Sequence, residues 1–341
     1  MTLISKIFLA ITVVLLLVWQ LPWCYGFFFP RTSPSSFVMY SSLLNDFLIN
    51  SHGGKKALLK DTRGNTYTQE QGDSLLPAFY MRQLVTDERM PDSLFGEPVN
   101  LKAIREAFFS FRVRPSMVNA PQLGLYFLLE SMPKRVDLSM PDDAFRFRAQ
   151  GIEFIRMNDN TLEVEKSHTF TDMLKQKGFC FPPLCVAGEP NTRKEYDNGY
   201  LLIDASHKLF QLKMTRGLPY VKQLALPHGV TPSQVWITEY TGRKSLGFMT
   251  DTQHKFYIIL ADGRVQKTGI PYFDPRTESI MIIGTLYDWT VRIDNAEGSR
   301  FYGINARDFS LLKSYEIKEP DVRIPGLRFT SPYDEYVRPR F

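Results

Sequence analysis

Apolar and polar positions divide the chain into three kinds of stretch. From Ile7 to Phe29, IFLAITVVLLLVWQLPWCYGFFF, 23 residues pass without a charge. Beyond Phe37 the apolar residues come in short runs separated by Gly, Asn and Asp turns, which is the rhythm of strands. From Glu319 onward, EPDVRIPGLRFTSPYDEYVRPRF carries four prolines and little periodicity. The organisation this implies is an N-terminal transmembrane anchor at 1–29, a linker at 30–36, a β-rich ectodomain at 37–318 and an extended Pro-rich tail at 319–341.

Within the ectodomain, KALLKDTRGNTYTQEQ reads as a hairpin with a Gly-Asn turn, and SLLPAFYMRQLV as a short helix or buried turn. Strands are expected at FFSFRVRP (108–115), LGLYFLLES (123–131) and across 145–165, where Phe145, Phe147, Ile152 and Phe154 alternate with polar neighbours. One helix is expected, capped by Ser167 and ended by Gly178. The stretch GFMTDTQHKFYIILADGRVQKTGI, 247–270, reads as strand, turn, strand, turn, strand.

A spacing recurs around that stretch. Asp61 is followed six residues later by Tyr67, Asp204 by Phe210 and Asp251 by Tyr257; Asp294 has Tyr302 eight later, as if its turn had gained two residues. An aspartate there can accept hydrogen bonds from its own turn while the aromatic opens the returning strand. Asp204 and Asp251 lie 47 residues apart, and Asp251 and Asp294 lie 43 apart, near the length of one four-stranded propeller blade. LPYVKQL, VQKTGI and LLKSYEI supply a further strand to each unit, and Trp289 and Val291 share one strand face. The fold class is therefore mainly β: a propeller-like or meandering antiparallel ectodomain behind one transmembrane helix, with a sandwich as the other architecture. In a propeller, Val38–Tyr40 would close the ring against the C-terminal blade and remove an exposed edge.

Charge and composition narrow the function classes. The chain has 341 residues, 44% of them hydrophobic and 13% aromatic, and a net charge of +5 with no concentrated Lys/Arg block, which speaks against nucleic-acid binding. As a helix, residues 7–29 would rise about 35 Å, enough for a hydrocarbon core of about 30 Å. Trp19 and Trp23 suit an interface, and Lys6 favours the N-terminus inside. An uncleaved anchor is the favoured reading. A signal peptide cut near Cys24–Gly26 and a lipid on Cys24 are the alternatives.

Cys180 and Cys185, in FCFPPLC, are close enough in sequence to form a disulfide in an exported domain, or to be two buried thiols. Nucleophile elbows, phosphate-binding loops, dinucleotide fingerprints and zinc-protease helices are absent. His207 and His254 stand three residues after a turn aspartate, each followed by lysine, a pairing that suits either a site built from equivalent loops or plain surface turns. Glu130, Asp137, Asp142 and Asp143 fit turn and capping roles as well as paired-carboxylate chemistry. No catalytic residue, cofactor or metal is expected.

MPDDAFRF, DNGYLLIDASHKLFQLK, GFMTDTQHKFYIILADGRV and IIGTLYDWTV, behind an N-terminal anchor, together resemble a family of membrane-anchored proteins of Bacteroides-type bacteria whose domain has no known function. The likeness runs from about Phe37 to Ile317 and implies a setting, a bacterial inner membrane with the domain in the periplasm, but no site residues. Two functional readings follow. One is a non-enzymatic interaction module, an accessory subunit of an inner-membrane transporter or envelope complex. The other is a periplasmic ligand-binding protein or enzyme using a central propeller pocket.

Overall fold

The computed structural model describes residues 2–28, 36–51, 58–295, 297–318, 328–330 and 337–340. Helix α1 (Leu3–Phe28) contains the apolar stretch; Leu3–Tyr25 is long and apolar enough to cross a membrane, and none of that window is buried against the rest of the chain. The first sheet follows as a meander of β1 (Ser36–Ser41), β2 (Asp46–Ser51), β3 (Leu58–Asp61) and β4 (Thr66–Tyr67). Helices α2 (Gln69–Leu75) and α3 (Met81–Thr86) lead to a hairpin of β5 (Ser93–Leu94) and β6 (Glu97–Pro98), then to α4 (Leu101–Ala107), β7 (Phe109–Val113) and α5 (Pro115–Asn119). A second hairpin, β8 (Asp143–Arg148) and β9 (Gly151–Arg156), is backed by α6 (Val164–Gln176).

Three more meanders complete the domain. The second sheet is β10 (Cys185–Gly188), β11 (Tyr200–Ile203), β12 (Leu209–Thr215) and β13 (Leu218–Leu224). The third is β14 (Pro232–Ile237), β15 (Ser245–Asp251), β16 (Phe256–Leu260) and β17 (Val265–Lys267). The fourth is β18 (Ser279–Gly284), β19 (Asp288–Asn295), β20 (Gly298–Asn305) and β21 (Leu311–Lys318). In the tail, β22 (Arg328–Thr330) pairs with β23 (Val337–Arg340); its remaining residues, Phe341 included, lie outside the described ones.

The sheets stack face to face, as propeller blades do, because their middle strands are apolar on both sides. In β11, Leu201 and Ile203 enter the core shared with the third sheet, while Tyr200 and Leu202 pack toward β8, β9 and α6. In β15, Phe248 faces the fourth sheet and the adjacent Met249 faces the second. In β18, Ile280 and Ile282 face the third sheet and Ile283 faces the first. In β1, Val38 and Tyr40 face the fourth sheet, with Met39 turned to Leu76 and the α2 region. The last strands, β13, β17 and β21, are largely exposed and carry the polar alternation that the middle strands lack.

Two expectations about strands are corrected. β1 does not enter the C-terminal sheet; it pairs with β2 and lies against the fourth sheet, its Tyr40 amide donating to Thr290 Oγ1 at 2.8 Å. Tyr40 fits there because the facing residue is Gly303, where a Cβ would stand 2.5 Å from the ring. The strand that extends the C-terminal sheet is β7, paired antiparallel with β18 from Phe109↔Gly284 to Val113↔Ile280. Residues 123–131 form no strand and make only single bridges, Tyr126 to Phe145 and Glu130 to Met214.

The expected helix begins earlier than Ser167. Ser167 is buried inside α6, accepting from the Phe154 amide at 2.9 Å and donating to the Glu163 carbonyl at 2.6 Å. Gly178 does end it, at φ +80°, in the left-handed region that glycine enters without strain.

Phe111 on β7 sits 4.6 Å from the Phe248 ring and within ring contact of Trp236 and Phe256. Replacing it with alanine empties the seam between the third and fourth sheets, at an expected cost of about 3–5 kcal/mol. A chemical denaturation midpoint unchanged from wild type would contradict this placement of β7.

Candidate functional site

The turns that carry the recurring aspartates are the most regular chemistry in the domain. Asp61, Asp204 and Asp251 each open a turn in which the residue three later is left-handed: Gly64 at φ +91°, His207 and His254 at +59°. In each, one carboxylate oxygen accepts two backbone amides, from the second and fourth residues on: Arg63 and Asn65, Ser206 and Lys208, Gln253 and Lys255, all at 2.7–2.9 Å. The other oxygen is free to reach further. It takes the Tyr67 hydroxyl at 3.0 Å and the Tyr257 hydroxyl at 2.8 Å. Phe210 has no hydroxyl, and there the Cys180 amide donates to Asp204 instead, at 3.0 Å. In each turn the amide of the left-handed residue donates back to the aspartate carbonyl, at 3.0–3.2 Å, closing the hairpin.

The four positions are not one repeat. Asp204 and Asp251 sit between the second and third strands of their sheets, whereas Asp61 sits between the third and fourth strands of its own. Asp294 has the same topological place as Asp204 and Asp251 but not their role. It lies within β19 paired with Ser299, accepts from Arg292 Nε at 2.7 Å and Ser299 Oγ at 2.5 Å, and leaves the turn to Asn295. The extra spacing to Tyr302 reflects a longer strand, not a longer turn.

The two histidines do not converge. His207 Nδ1 lies 3.3 Å from the Pro232 carbonyl at the start of the third sheet. His254 Nδ1 lies 3.7 Å from Asp274 Oδ1 in the segment entering the fourth, and the His254 carbonyl accepts the Phe273 amide. Each turn therefore reaches sideways onto the next sheet. Among the described residues no group of three or more His, Cys, Asp or Glu is arranged to hold a metal ion.

Cys180 and Cys185 are free thiols. The β10 strand turns Cys185 into the core between the second and third sheets, its Sγ 3.5 Å from Gln234 Oε1, while Cys180 stays exposed on its loop. Burial pushes the Cys185 thiol up from its ordinary pKa. The acidic cluster is dispersed: Asp143 pairs with Lys166 on α6 at 2.6 Å, and Glu130 accepts the Met132, Arg216 and Gly217 amides at the β12–β13 turn.

Three buried polar features escaped sequence reasoning because each joins groups far apart in the chain, 45 residues in the case of Lys194 and Glu239. Lys194 bridges Asp197 at 2.8 Å and Glu239, joining loops of the second and third sheets, and Glu239 also accepts the Asn198 amide. Burial pushes the Glu239 carboxyl up; Lys194, which burial alone would lower, is held above its usual value by the two carboxylates. Asp46 accepts from Lys313 at 2.8 Å and from Thr62, fastening the first sheet to the fourth.

Asp288 is buried beside a cavity under the Ser41–Leu43 turn and accepts from Ser42 N at 3.1 Å and Ser42 Oγ at 2.5 Å. Burial pushes its pKa up, and burial with the neighbouring Asp288 and Asp46 carboxylates pushes the Tyr40 hydroxyl up to about 12. The cavity leaves about 20 Å³ for water-sized centres, room for about one water molecule.

The model of the family DUF4857, domain of unknown function, matches residues 37–304. The chain belongs to that family. No curated protein matches it in sequence. Among solved structures, the β-propeller domain of Cps50 (Swd1) from Myceliophteria thermophila is 10% identical over 62% of this chain and 60% of that one, with a TM-score of 0.30. PorZ, a surface component of the type-IX secretion system of Porphyromonas gingivalis, is 13% identical over 84% of this chain and 27% of that one, at 0.25. The WD40 domain of SCAP from fission yeast is 9% identical over 86% and 69%, at 0.31. This DUF4857 chain thus spans 60% or less of the first two.

Two outcomes follow from the charged fasteners. Lys194→Met strands two buried carboxylates without their cation, and a loss of about 3–5 kcal/mol in unfolding free energy is expected. The second concerns acid. Burial pushes the Asp46 and Asp61 carboxyls up, but Lys313 and Thr62 at Asp46, and the Asn65 and Tyr67 donors at Asp61, outweigh it and hold both below the ordinary value. Their contribution is present above an ordinary carboxylate pKa of about 4 and fades as pH falls through the lowered values. The melting temperature should drop below about pH 4, less steeply in Asp46→Asn, and parallel profiles would refute the assignment.

Proposed function

We propose that this DUF4857 protein is a membrane-anchored interaction module without catalytic chemistry of its own, an accessory subunit of a bacterial inner-membrane transporter or envelope complex. In this reading α1 stays uncleaved as a single-pass anchor and the β domain stands in the periplasm. The observation that carries it is a groove of about 320 Å³ between α3 and α4. Met81, Val85 and Leu101 give the groove an apolar floor, with Val85 and Leu101 exposed, and Arg82, Lys102 and Arg105 surround it. Arg82 and Arg105 make no ion pair among the described residues, and Lys102 meets Glu106 only at 3.8 Å. Apolar contact ringed by unpaired arginine suits an acidic, partly apolar segment of a partner protein.

The other reading, a ligand-binding protein or enzyme, would draw on Asp288 and its cavity. The cavity at Asp288 supports the interaction module over this reading, because room for one water does not admit a metabolite there, and Asp288 and Glu239 each accept from neighbouring groups of the fold.

The test is purification of the intact, anchored protein from its native membranes in mild detergent, with mass spectrometry of what accompanies it. Stoichiometric recovery of a membrane complex is expected, and Arg82→Glu with Arg105→Glu should cut that recovery at least tenfold while leaving the melting temperature within a few degrees. Recovery of the protein alone, also after crosslinking, would end this reading.

A further inference from the structure

We infer that α1 pairs with α1 of a second copy of this chain, side by side in the bilayer, through a seam centred on Gln20. The pairing rests on the anchored reading above, in which α1 stays in the membrane. Two features of α1 carry it: one polar side chain left without a hydrogen bond, and the stripe on which that side chain lies.

The hydroxyls at the start of α1 are settled locally. Thr12 Oγ1 donates to the Phe8 carbonyl at 2.9 Å, and the Thr2 and Ser5 hydroxyls bond each other at 2.9 Å. Gln20 differs: its side chain is exposed and makes no hydrogen bond among the described residues. It lies six residues beyond Val14, the middle of the Leu3–Tyr25 span. Its backbone therefore sits about 9 Å from the midplane, against about 15 Å for half a hydrocarbon core. At that depth an amide has no water to bond, and it gains from any partner in the plane of the membrane.

Gln20 belongs to a stripe that repeats every four and three residues: Leu9, Val13, Leu16, Gln20, Trp23 and Phe27. This is the a/d spacing of a coiled-coil seam with Gln20 at an a position, and Trp23 and Phe27 already stack along it at 5.6 Å. A charge-free helix offers apolar stripes on every side, so packing alone does not choose among them. Gln20 chooses. A side-chain amide carries donors and an acceptor, so two copies related by a two-fold axis satisfy each other, the N–H of each donating to the carbonyl of the other. An identical helix inserted in the same direction also brings its own Gln20 to the same depth, which a foreign helix does only by coincidence. The other common means of pairing in lipid, small residues four apart, is missing: no two of Ser5, Ala10, Thr12 and Gly26 have that spacing. The seam is open to a partner, since none of the apolar window is buried against the rest of the chain.

The test is disulfide trapping in the full chain, with Cys24→Ser and Cys180→Ser removing the two native thiols that are not buried. The protein is reconstituted into phosphatidylethanolamine–phosphatidylglycerol vesicles at high dilution in lipid and oxidised with copper phenanthroline. Leu16→Cys, on the seam, should form a disulfide-linked dimer at least fivefold faster than Ile11→Cys, which lies on the opposite face at a similar depth. Adding Gln20→Leu to Leu16→Cys should slow trapping about fivefold, whereas Gln20→Asn, which keeps an amide, should restore most of it. The melting temperature of the β domain should be the same in every variant, because α1 is not packed on it. Equal or absent trapping at the two positions, or trapping indifferent to Gln20→Leu, in a chain that floats with the vesicles, overturns the pairing and leaves the anchor standing. A Leu16→Cys adduct with a different protein, when the same oxidation is run in native membranes, overturns it too. A chain that does not float with the vesicles, or that is recovered from native membranes without α1, overturns the anchored reading and the pairing with it.

Discussion

Each sheet of this domain has to be covered on both faces. Neighbouring residues of one strand enter different cores: Leu201 and Leu202, Phe248 and Met249, Ile282 and Ile283, Val38 and Met39. A sheet with two apolar faces is unstable in water by itself, so the stack is cooperative, and its outer faces need other elements. α6 with β8 and β9 covers the second sheet, and the α2–α3 region covers the first. The helices are thus lids on a β stack, not a separate domain. Their short length follows, because each needs to present only a few apolar residues, such as Phe170 and Leu174 of α6.

Apolar faces hold the sheets together but do not by themselves say how one sits on the next. The charged fasteners do. Lys194 joins Asp197 to Glu239 across the second and third sheets, and Asp46 takes Lys313 across the first and fourth. A slip of one sheet by two residues would preserve much of the apolar contact yet leave a buried carboxylate without its cation, at a cost of several kcal/mol. The histidine turns add a further contact from one sheet to the next at the rim. These groups are therefore occupied in setting the register of the stack, with Glu239 held between Lys194 and the Asn198 amide.

What could be read in the sequence was what the chain decides locally. A turn aspartate bonds amides two and four residues away, so Asp61, Asp204 and Asp251 signal their turns through nearby residue types alone. The same locality limits the signal: it marks a kind of turn, not a place in a sheet, and Asp61 shares the chemistry of Asp204 while sitting one hairpin further along its meander. Asp294 shows the reverse, the expected place with the turn held by its neighbour Asn295. Non-local choices were hidden. Nothing in FFSFRVRP points to a partner about 170 residues later, and Leu123–Ser131, apolar enough for a strand, makes only two bridges. Cys185 was ambiguous for a like reason, since the direction of its side chain is set by β14, which lies beyond the loop in FCFPPLC.

β1 ties these points together, because it is both the first strand after α1 and a strand inside the stack. Its six residues pair with β2 from Ser36↔Ser51 to Ser41↔Asp46. Its other edge is met by Thr290 and Asp288, and Tyr40 packs over Gly303. An anchor joined to an exposed edge strand could peel that strand away one hydrogen bond at a time. A load along β1 would instead meet a ladder that must shear as a unit, with Tyr40 and Phe47 gripped by Phe301 and Tyr315 of the last sheet. The N-terminal strand is thus locked by the C-terminal sheet, through the contact between the first and last sheets of the stack.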